Sequence, residues 1–300
     1  MAFRSYLTPS TKRPRAQVNW QKPAQAFVNS LRQNFHLTTL LLIGALLQSL
    51  VLFIIPRFYA MLPAILILGA RLADSLAITY GWKRNPYLDE AILHRVSPQI
   101  PDEDGNFHQE PAEEKVVAFM LGAKVNHPLG LFAPNVKQVG DGLQEMFKDL
   151  EDHAPENGFL GASVWHSTDK NGATELLYPS YWRSTKDLHD FAYGPVHMKT
   201  WDWWNKTIKQ NDHIGILHEM FEVDRKSWEA IYVNFQPTLL GATTYVRKGD
   251  KSIGGTVDDQ WISPLVDARS GKLRSSAGRL GRDPNELYEK HRLAPGGKYE

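Results

Sequence analysis

The amino-acid sequence predicts an α+β protein: a ferredoxin-like β-α-β-β-α-β domain preceded by an N-terminal transmembrane helix or helical hairpin. Two observations lead to this prediction. Residues 37–56 carry no charged side chain, and residues 115–237 alternate between hydrophobic patterns typical of strands and of helices. With 300 residues, the chain is long enough for one sizeable domain with appendages.

The composition excludes several classes of function. The chain has 34 Lys and Arg residues against 33 Asp and Glu residues, a formal charge of +1. This balance gives no reason to expect a nucleic-acid partner, whose phosphates require a basic face. The sequence contains no cysteine, which excludes disulfides, thiolate metal ligands and a cysteine nucleophile.

Residues 37–82 are predicted to anchor the protein in a membrane. The uncharged run 37–56 would form a helix about 30 Å long, which matches the hydrocarbon core of a bilayer. A second apolar stretch, 58–82, is interrupted by Pro63, Arg71 and Asp74. It is compatible with a second span or with an interfacial helix.

Charges next to the apolar segments predict the orientation. Residues 1–36 form a basic segment without any acidic residue, so they are expected to stay cytoplasmic. A hairpin would return the following domain to the cytoplasm, and a single span would place it in the lumen. Lys83 and Arg84 favour the cytoplasm, and we expect the endoplasmic reticulum membrane.

The rest of the chain divides into three parts. Residues 83–114 are rich in Pro, Asp and Glu and are predicted to be a linker, and 246–300 to be a mostly flexible tail. Between them, 115–245 form the folded domain. The predicted strands start at Lys115, Gly158, Thr174, His213 and Glu229, and the predicted helices cover 139–154 and 185–206.

In a ferredoxin-like fold the two helices cover one face of an antiparallel sheet. The other face needs a cover of its own. A second copy of the chain is a common solution, so we expect a homodimer in which two sheets form an α/β barrel.

Aromatic residues and histidines indicate a site for an apolar ligand. On the second predicted helix His197, Trp201 and Trp204 share one stripe. Strand alternation adds Trp165 and the pair Tyr178 and Trp182, and we expect these three residues, with Trp201 and Trp204, to bind the substrate. Such a surface suits a flat hydrophobic molecule, but aromatics are also enriched in dimer interfaces, and His197 is compatible with a buried core role.

The sequence lacks the common cofactor and hydrolase motifs. It has no glycine-rich dinucleotide or phosphate loop, no G-x-S-x-G and no H-E-x-x-H. His189, Asp190 and His197 offer only a poor iron site, because Gly194-Pro195 separates the histidines. No metal site is predicted.

Several motifs in order resemble one known family. They are Gly158–Gly161, Tyr181–Ser184, Asp187–Phe191, Gly194–Trp201 and Gly215–Glu219. Over 115–245 the chain resembles a monooxygenase-like family of fungi and bacteria with a dimeric α/β-barrel fold. Members of that family resemble antibiotic-biosynthesis monooxygenases and, more distantly, haem-containing aldoxime dehydratases.

The resemblance implies oxidation of a hydrophobic polyketide or terpenoid intermediate in fungal secondary metabolism. The motif residues it marks as catalytic are His197, His218, Glu219 and Arg183. Without a cofactor, His197 or His218 would be the base that activates the substrate towards oxygen. With haem, one of them would be the axial ligand, so the cofactor stays open. Two other functions are compatible: a dehydratase, cyclase or isomerase on the same fold, and a non-catalytic binding or scaffold protein.

Overall fold

The computed structural model describes residues 2–14, 31–32, 34–249 and 258–283. It separates into two compact units. One holds 21–91 and 170–172, and the other, the globular unit, holds 1–20, 92–169 and 173–300. The helices are α1 (Leu37–Leu52), α2 (Arg57–Thr79), α3 (Val136–Asp152), α4 (Thr185–Ala192), α5 (Pro195–Thr207) and α6 (Ser276–Arg279). The strands are β1 (Ile92–Pro98), β2 (Val116–Val125), β3 (Phe159–Ala162), β4 (Trp165–Thr168), β5 (Thr174–Trp182), β6 (Ile214–Val223), β7 (Tyr232–Phe235), β8 (Tyr245–Arg247), β9 (Gln260–Ile262) and β10 (Leu265–Asp267).

The first unit contains the two apolar helices. Helix α1 has 16 residues, so it is shorter than the predicted run 37–56, because the chain turns at Pro56 to begin α2. Helix α2 has 23 residues and continues through Pro63. By length and composition it is the one helix of the described residues that could cross a membrane, and its most apolar stretch has a mean hydropathy of 1.7 with no buried residue. This is weak evidence of membrane association.

The main sheet of the globular unit has the strand order β3-β5-β2-β6, with β4 also paired to β5. All of these pairs are antiparallel. The central strand β2 therefore lies between the strands that precede and follow the second helical region, as in a split βαβ arrangement. The predicted α+β class and the predicted order of elements are confirmed.

Helices α3, α4 and α5 supply the second layer of this domain. The core between them and the sheet is formed by Val117, Phe147, Leu150, Phe159, Ala162, Tyr178, Trp182 and Leu188. The second predicted helix is two helices: the first ends at Ala192 with Tyr193 as its C-cap, and Pro195, which lacks an N–H, begins the next with Gly194 as its N-cap. Ser184 caps the first by accepting a hydrogen bond from the Asp187 backbone N–H.

Regions predicted to be linker and tail contribute to a further layer. Strand β1 lies within 83–114, and β9, β10 and α6 lie within 246–300. Strand β1 pairs with β10 on one side and with β7 on the other. The short strands carry too few residues for a periodic pattern, yet Leu265 is fully buried and Leu273 is 2% exposed. The remainder of the predicted tail, 284–300, and residues 250–257 lie outside the described residues.

Residues 2–14, which we call the N-terminal strap, are part of the globular unit. The Tyr6 N–H donates to the Leu265 carbonyl at 2.6 Å, and Ser10 and Trp261 exchange two backbone hydrogen bonds of 3.0 and 2.7 Å. Arg13 reaches across to Glu151 of α3, with Nη1 at 2.8 Å from the carboxylate. The strap thus joins strands near the end of the chain to the helical layer.

Candidate functional site

The structure brings His197 and His218 together on the helix-covered side of the sheet. His197 lies in the first turn of α5, directly after the Gly194-Pro195 break. His218 lies in the middle of β6 opposite Leu121, and its ring stacks on Phe119 with centroids 5.5 Å apart. The two histidines are close enough that the charge of His218 lowers the pKa of His197. We call them the histidine pair.

His197 is held as a neutral base. Burial lowers the pKa of its imidazole below the ordinary value, the nearby Ala192 carbonyl acts in the opposite direction, and the charge of His218 lowers the pKa further. Its Nδ1 is buried and has no hydrogen-bond partner.

Aromatic rings support His197 from behind. The Phe191 ring lies edge-on to His197 at 5.8 Å, and Trp182 lies 5.7 Å from Phe191. Trp182 in turn contacts Phe159 at 5.4 Å, is 3% exposed, and donates its indole N–H to the Ser180 hydroxyl at 3.0 Å. Through these edge-on and tilted ring contacts, the first turn of α5 packs against the core.

The other side of the histidine pair is open and apolar. Trp201 of α5 and Ile208, in the 3₁₀ turn that follows α5, continue the helical stripe of His197 and are 49% and 51% exposed. On β6, Ile216 and Met220 flank His218 on the same face and are 48% and 40% exposed. We call these four residues the open apolar surface. It can hold a hydrophobic molecule against the two imidazoles.

The other substrate-binding candidates separate into two groups. Tyr178 and Trp182 are buried in the core under the helices, where they shape the wall and do not reach a ligand directly. Trp204 is half-buried on α5. Trp165, in contrast, is paired with Leu177 and therefore lies on the opposite face of the sheet, 46% exposed.

Two catalytic candidates do not join the histidine pair. Glu219 neighbours His218 in sequence, so strand alternation places it on the opposite face, across from Met120. Arg183 makes a two-point ion pair with Asp187, with Nη2–Oδ1 at 2.6 Å and Nε–Oδ2 at 3.1 Å. It also donates to the Pro155 and Glu156 carbonyls at 3.3 Å. Arg183 therefore ties the start of α4 to the loop before β3.

Sequence reasoning missed the aromatic neighbours of the pair. Phe119 lies on β2 two residues from Leu121, and Phe191 lies near the end of α4. Strand alternation could have identified Phe119, because it places this side chain on the face of the sheet that the helices cover. The contact between Phe191 and His197 depends on the helix break, whose angle no local pattern gives.

Neutral imidazoles are chemically suitable iron ligands, so His197 or His218 could hold a haem iron. Two clefts of the described residues, of about 360 and 480 Å³, are lined by neither His197 nor His218. Among the described residues no group of three or more His, Asp or Glu side chains is arranged to hold a metal ion.

Comparison with known proteins identifies the class of this α+β domain as monooxygenase-like. Residues 116–240 match the family described as monooxygenase af470-like. The chain is 31% identical over 284 residues to monooxygenase af470 of Aspergillus fumigatus, covering 94% of this chain and 98% of that relative. The protein belongs to this monooxygenase family and is an oxidoreductase-like enzyme, which confirms the family predicted from the motifs.

Solved structures show weaker similarity. An aldoxime dehydratase matches 50% of this chain and 40% of its own, with 18% identity and a TM-score of 0.35. Aldoxime dehydratase OxdRE, solved with butyraldoxime, covers 55% of this chain and 50% of its own at 14% identity and a TM-score of 0.32. The chain thus spans about half the length of these two enzymes or less. Hydroxynitrile lyase from Passiflora edulis matches 36% of this chain and 94% of its own at 15% identity, with a TM-score of 0.25.

Proposed function

We propose that this protein is a membrane-anchored enzyme that oxidises a hydrophobic polyketide or terpenoid intermediate of fungal secondary metabolism with molecular oxygen. His197 is the base in this proposal. The observation that carries it is the half-buried imidazole of His197, whose pKa is lowered by burial and by the charge of His218, on the same helical stripe as the exposed Trp201. Supporting this proposal, the protein belongs to a monooxygenase family.

The proposed reaction needs oxygen and an acidic C–H bond. His197 removes a proton from a methylene group of the substrate, and the carbanion gives electrons to O₂ as a carbon–oxygen bond forms. The resulting hydroperoxide loses water when the second hydrogen of the same carbon leaves as a proton and the O–O bond breaks. A carbonyl group remains. One oxygen atom enters the product, the other leaves as water, and the substrate supplies the electrons.

The chain's residues contribute binding and proton transfer. Trp201 and Met220 hold the apolar substrate and exclude water from the reacting carbon. His218 is the second imidazole of the proposed site, and its charge acts on His197. Burial lowers the pKa of His197, which favours the neutral form that a base requires.

A membrane location suits such a substrate. Apolar intermediates partition into lipid. The apolar side chains of α1 and α2 are almost all exposed on the surfaces of these helices. We place the anchor in the endoplasmic reticulum, with the globular unit on the cytoplasmic side, because Lys83 and Arg84 follow α2.

A homodimeric barrel is also part of the proposal. On the face opposite the helices, Trp165, Leu177, Gly122 and Leu217 align in one row across four strands. Trp165, Leu177 and Leu217 are 46%, 37% and 56% exposed. An apolar row of this kind favours burial against a second copy of the sheet. Glu219 would then lie at the subunit interface.

The test of the function is oxygen consumption by the purified full-length protein in detergent. The probe is anthrone, a flat apolar ketone with an acidic methylene group. We expect one O₂ consumed per anthraquinone formed and no product under nitrogen. Product formation from a candidate substrate without oxygen uptake would indicate a dehydratase, cyclase or isomerase instead. If anthrone binds but neither anthrone nor any compound of a pathway extract is converted, the protein would be a carrier or scaffold.

The pH dependence of the reaction should report the lowered pKa of His197. A base loses activity when it becomes protonated as the pH falls. Because burial lowers the pKa of His197 below the ordinary value of 6.5, we expect kcat/KM to stay level down to that pH and to fall only below it. A pH–rate profile on anthrone measures this. An acid limb centred above that value would contradict the assignment of His197 as the base.

A further inference from the structure

The two chain segments that flank the apolar helices are parts of one folded unit. The N-terminal strap precedes α1 and α2 in sequence, and β1 to β10 follow them. Yet the strap is bonded to β9 and β10: the Tyr6 N–H donates to Leu265, and Ser10 pairs with Trp261 as neighbouring strands do. The apolar helices are therefore an insertion into a single globular fold.

Arg13 fixes the end of the strap in the interior. Its side chain is 14% exposed and forms an ion pair with Glu151 at 2.8 Å. Its Nε donates to the Thr244 hydroxyl at 3.1 Å, and the guanidinium lies over the rings of Phe159 and Trp261 at 5.5 and 5.2 Å. Burying a guanidinium requires such partners, so this contact belongs to the folded state and is no loose association.

The helices themselves have the features of a membrane insert. Their large apolar side chains face outward, with Phe53 88% and Ile54 85% exposed at the turn between them. Phe58 and Tyr59 lie near one end of α2 and Tyr80 at the other, about 30 Å apart along the helix axis. Aromatic residues at both ends suit the two interfaces of a bilayer.

We propose that α1 and α2 enter and leave the membrane on the same side, as a hairpin inserted into one globular domain. The inference rests on the membrane anchoring proposed above. A globular domain cannot be assembled from segments on opposite sides of a bilayer. Because the strap and β9 and β10 form one fold, the chain between them must leave the membrane on the side on which it enters. A single crossing, which the sequence leaves open, is excluded.

The experiment uses single-cysteine variants of the full-length protein, which has no cysteine of its own. Thr8→Cys marks the exposed part of the strap, and Asn205→Cys marks an exposed position on α5. Sealed microsomes are treated with a membrane-impermeant maleimide before and after detergent. We expect both cysteines to be labelled to the same extent without detergent as with it, on the cytoplasmic side.

The outcomes separate the inference from the anchoring on which it rests. Labelling of one cysteine before detergent and of the other only after it would overturn the same-side insertion. Protection of both until detergent would support the same-side insertion and contradict the cytoplasmic orientation. Alkaline carbonate extraction is run on the unsubstituted protein in parallel. Release into the supernatant would overturn both the anchoring and the hairpin, whereas retention with discordant labelling would overturn the hairpin alone.

Discussion

Replacing His197 with Ala is expected to lower kcat for oxidation by a factor of about 10²–10⁴, which is the usual contribution of a positioned general base. The imidazole is the proposed proton acceptor, and α5 offers no second histidine to replace it. His218 reaches the pair from β6, and its own interactions with Phe119 are not expected to change. Oxygen uptake and product formation on anthrone measure the effect.

The matched control is His189→Ala, since His189 lies exposed on α4 in the same helical layer. We expect this variant to keep the activity of the unchanged protein. Circular dichroism must show that both variants fold. Full activity of a folded His197→Ala protein would remove the base from the proposed mechanism and favour a role for this residue in packing.

The second large effect concerns stability. Arg13→Ala is expected to lower the free energy of unfolding by about 3 kcal/mol, because removing one partner of a buried ion pair leaves the other uncompensated. That partner is Glu151, whose carboxylate side chain is 23% exposed. Burial raises the pKa of Glu151, and the charge of Arg13 counteracts this effect. The loss corresponds to a decrease in Tm of roughly 6–12 °C for a domain of this size.

Thermal unfolding in detergent, followed by circular dichroism, tests this expectation. Lys12→Ala is the control, because Lys12 is the exposed basic neighbour of Arg13. The substitution removes one positive charge, as Arg13→Ala does. It should change Tm by no more than about 2 °C, as surface substitutions do. Equal Tm values for the two variants would mean that the strap contributes no stability through Arg13.

Hydrophobic periodicity was sufficient to predict the central domain. The long strands β2, β5 and β6 and the helix α3 each present a full pattern. The stripe that joins His197 to Trp201 also follows from helical spacing alone. The family motifs added the choice of residues to which the pattern by itself assigns no role.

The outer layer could not be predicted in the same way. Strands β9 and β10 have three residues each, too few to show a period, and their burial depends on partners distant in sequence. Arg183 lies in a family motif, but the motif does not show which residues its side chain contacts. Its ion pair with Asp187 follows from the positions of β5 and α4 in the fold. Likewise, no property of residues 2–14 indicates that they would dock on strands near the opposite end of the chain.

The N-terminal strap also determines when the protein can finish folding during synthesis. Arg13 and its partner Thr244 are 231 residues apart in the chain. At a ribosomal rate of about 5–20 residues per second, the strap waits at least ~10 s for its partners to be made. Helices α1 and α2 emerge long before, so they can be recognised for insertion while the strap is still unpaired. Docking of the strap is therefore a late step of folding, and a tag that holds the N-terminus away would leave the last layer of the fold open.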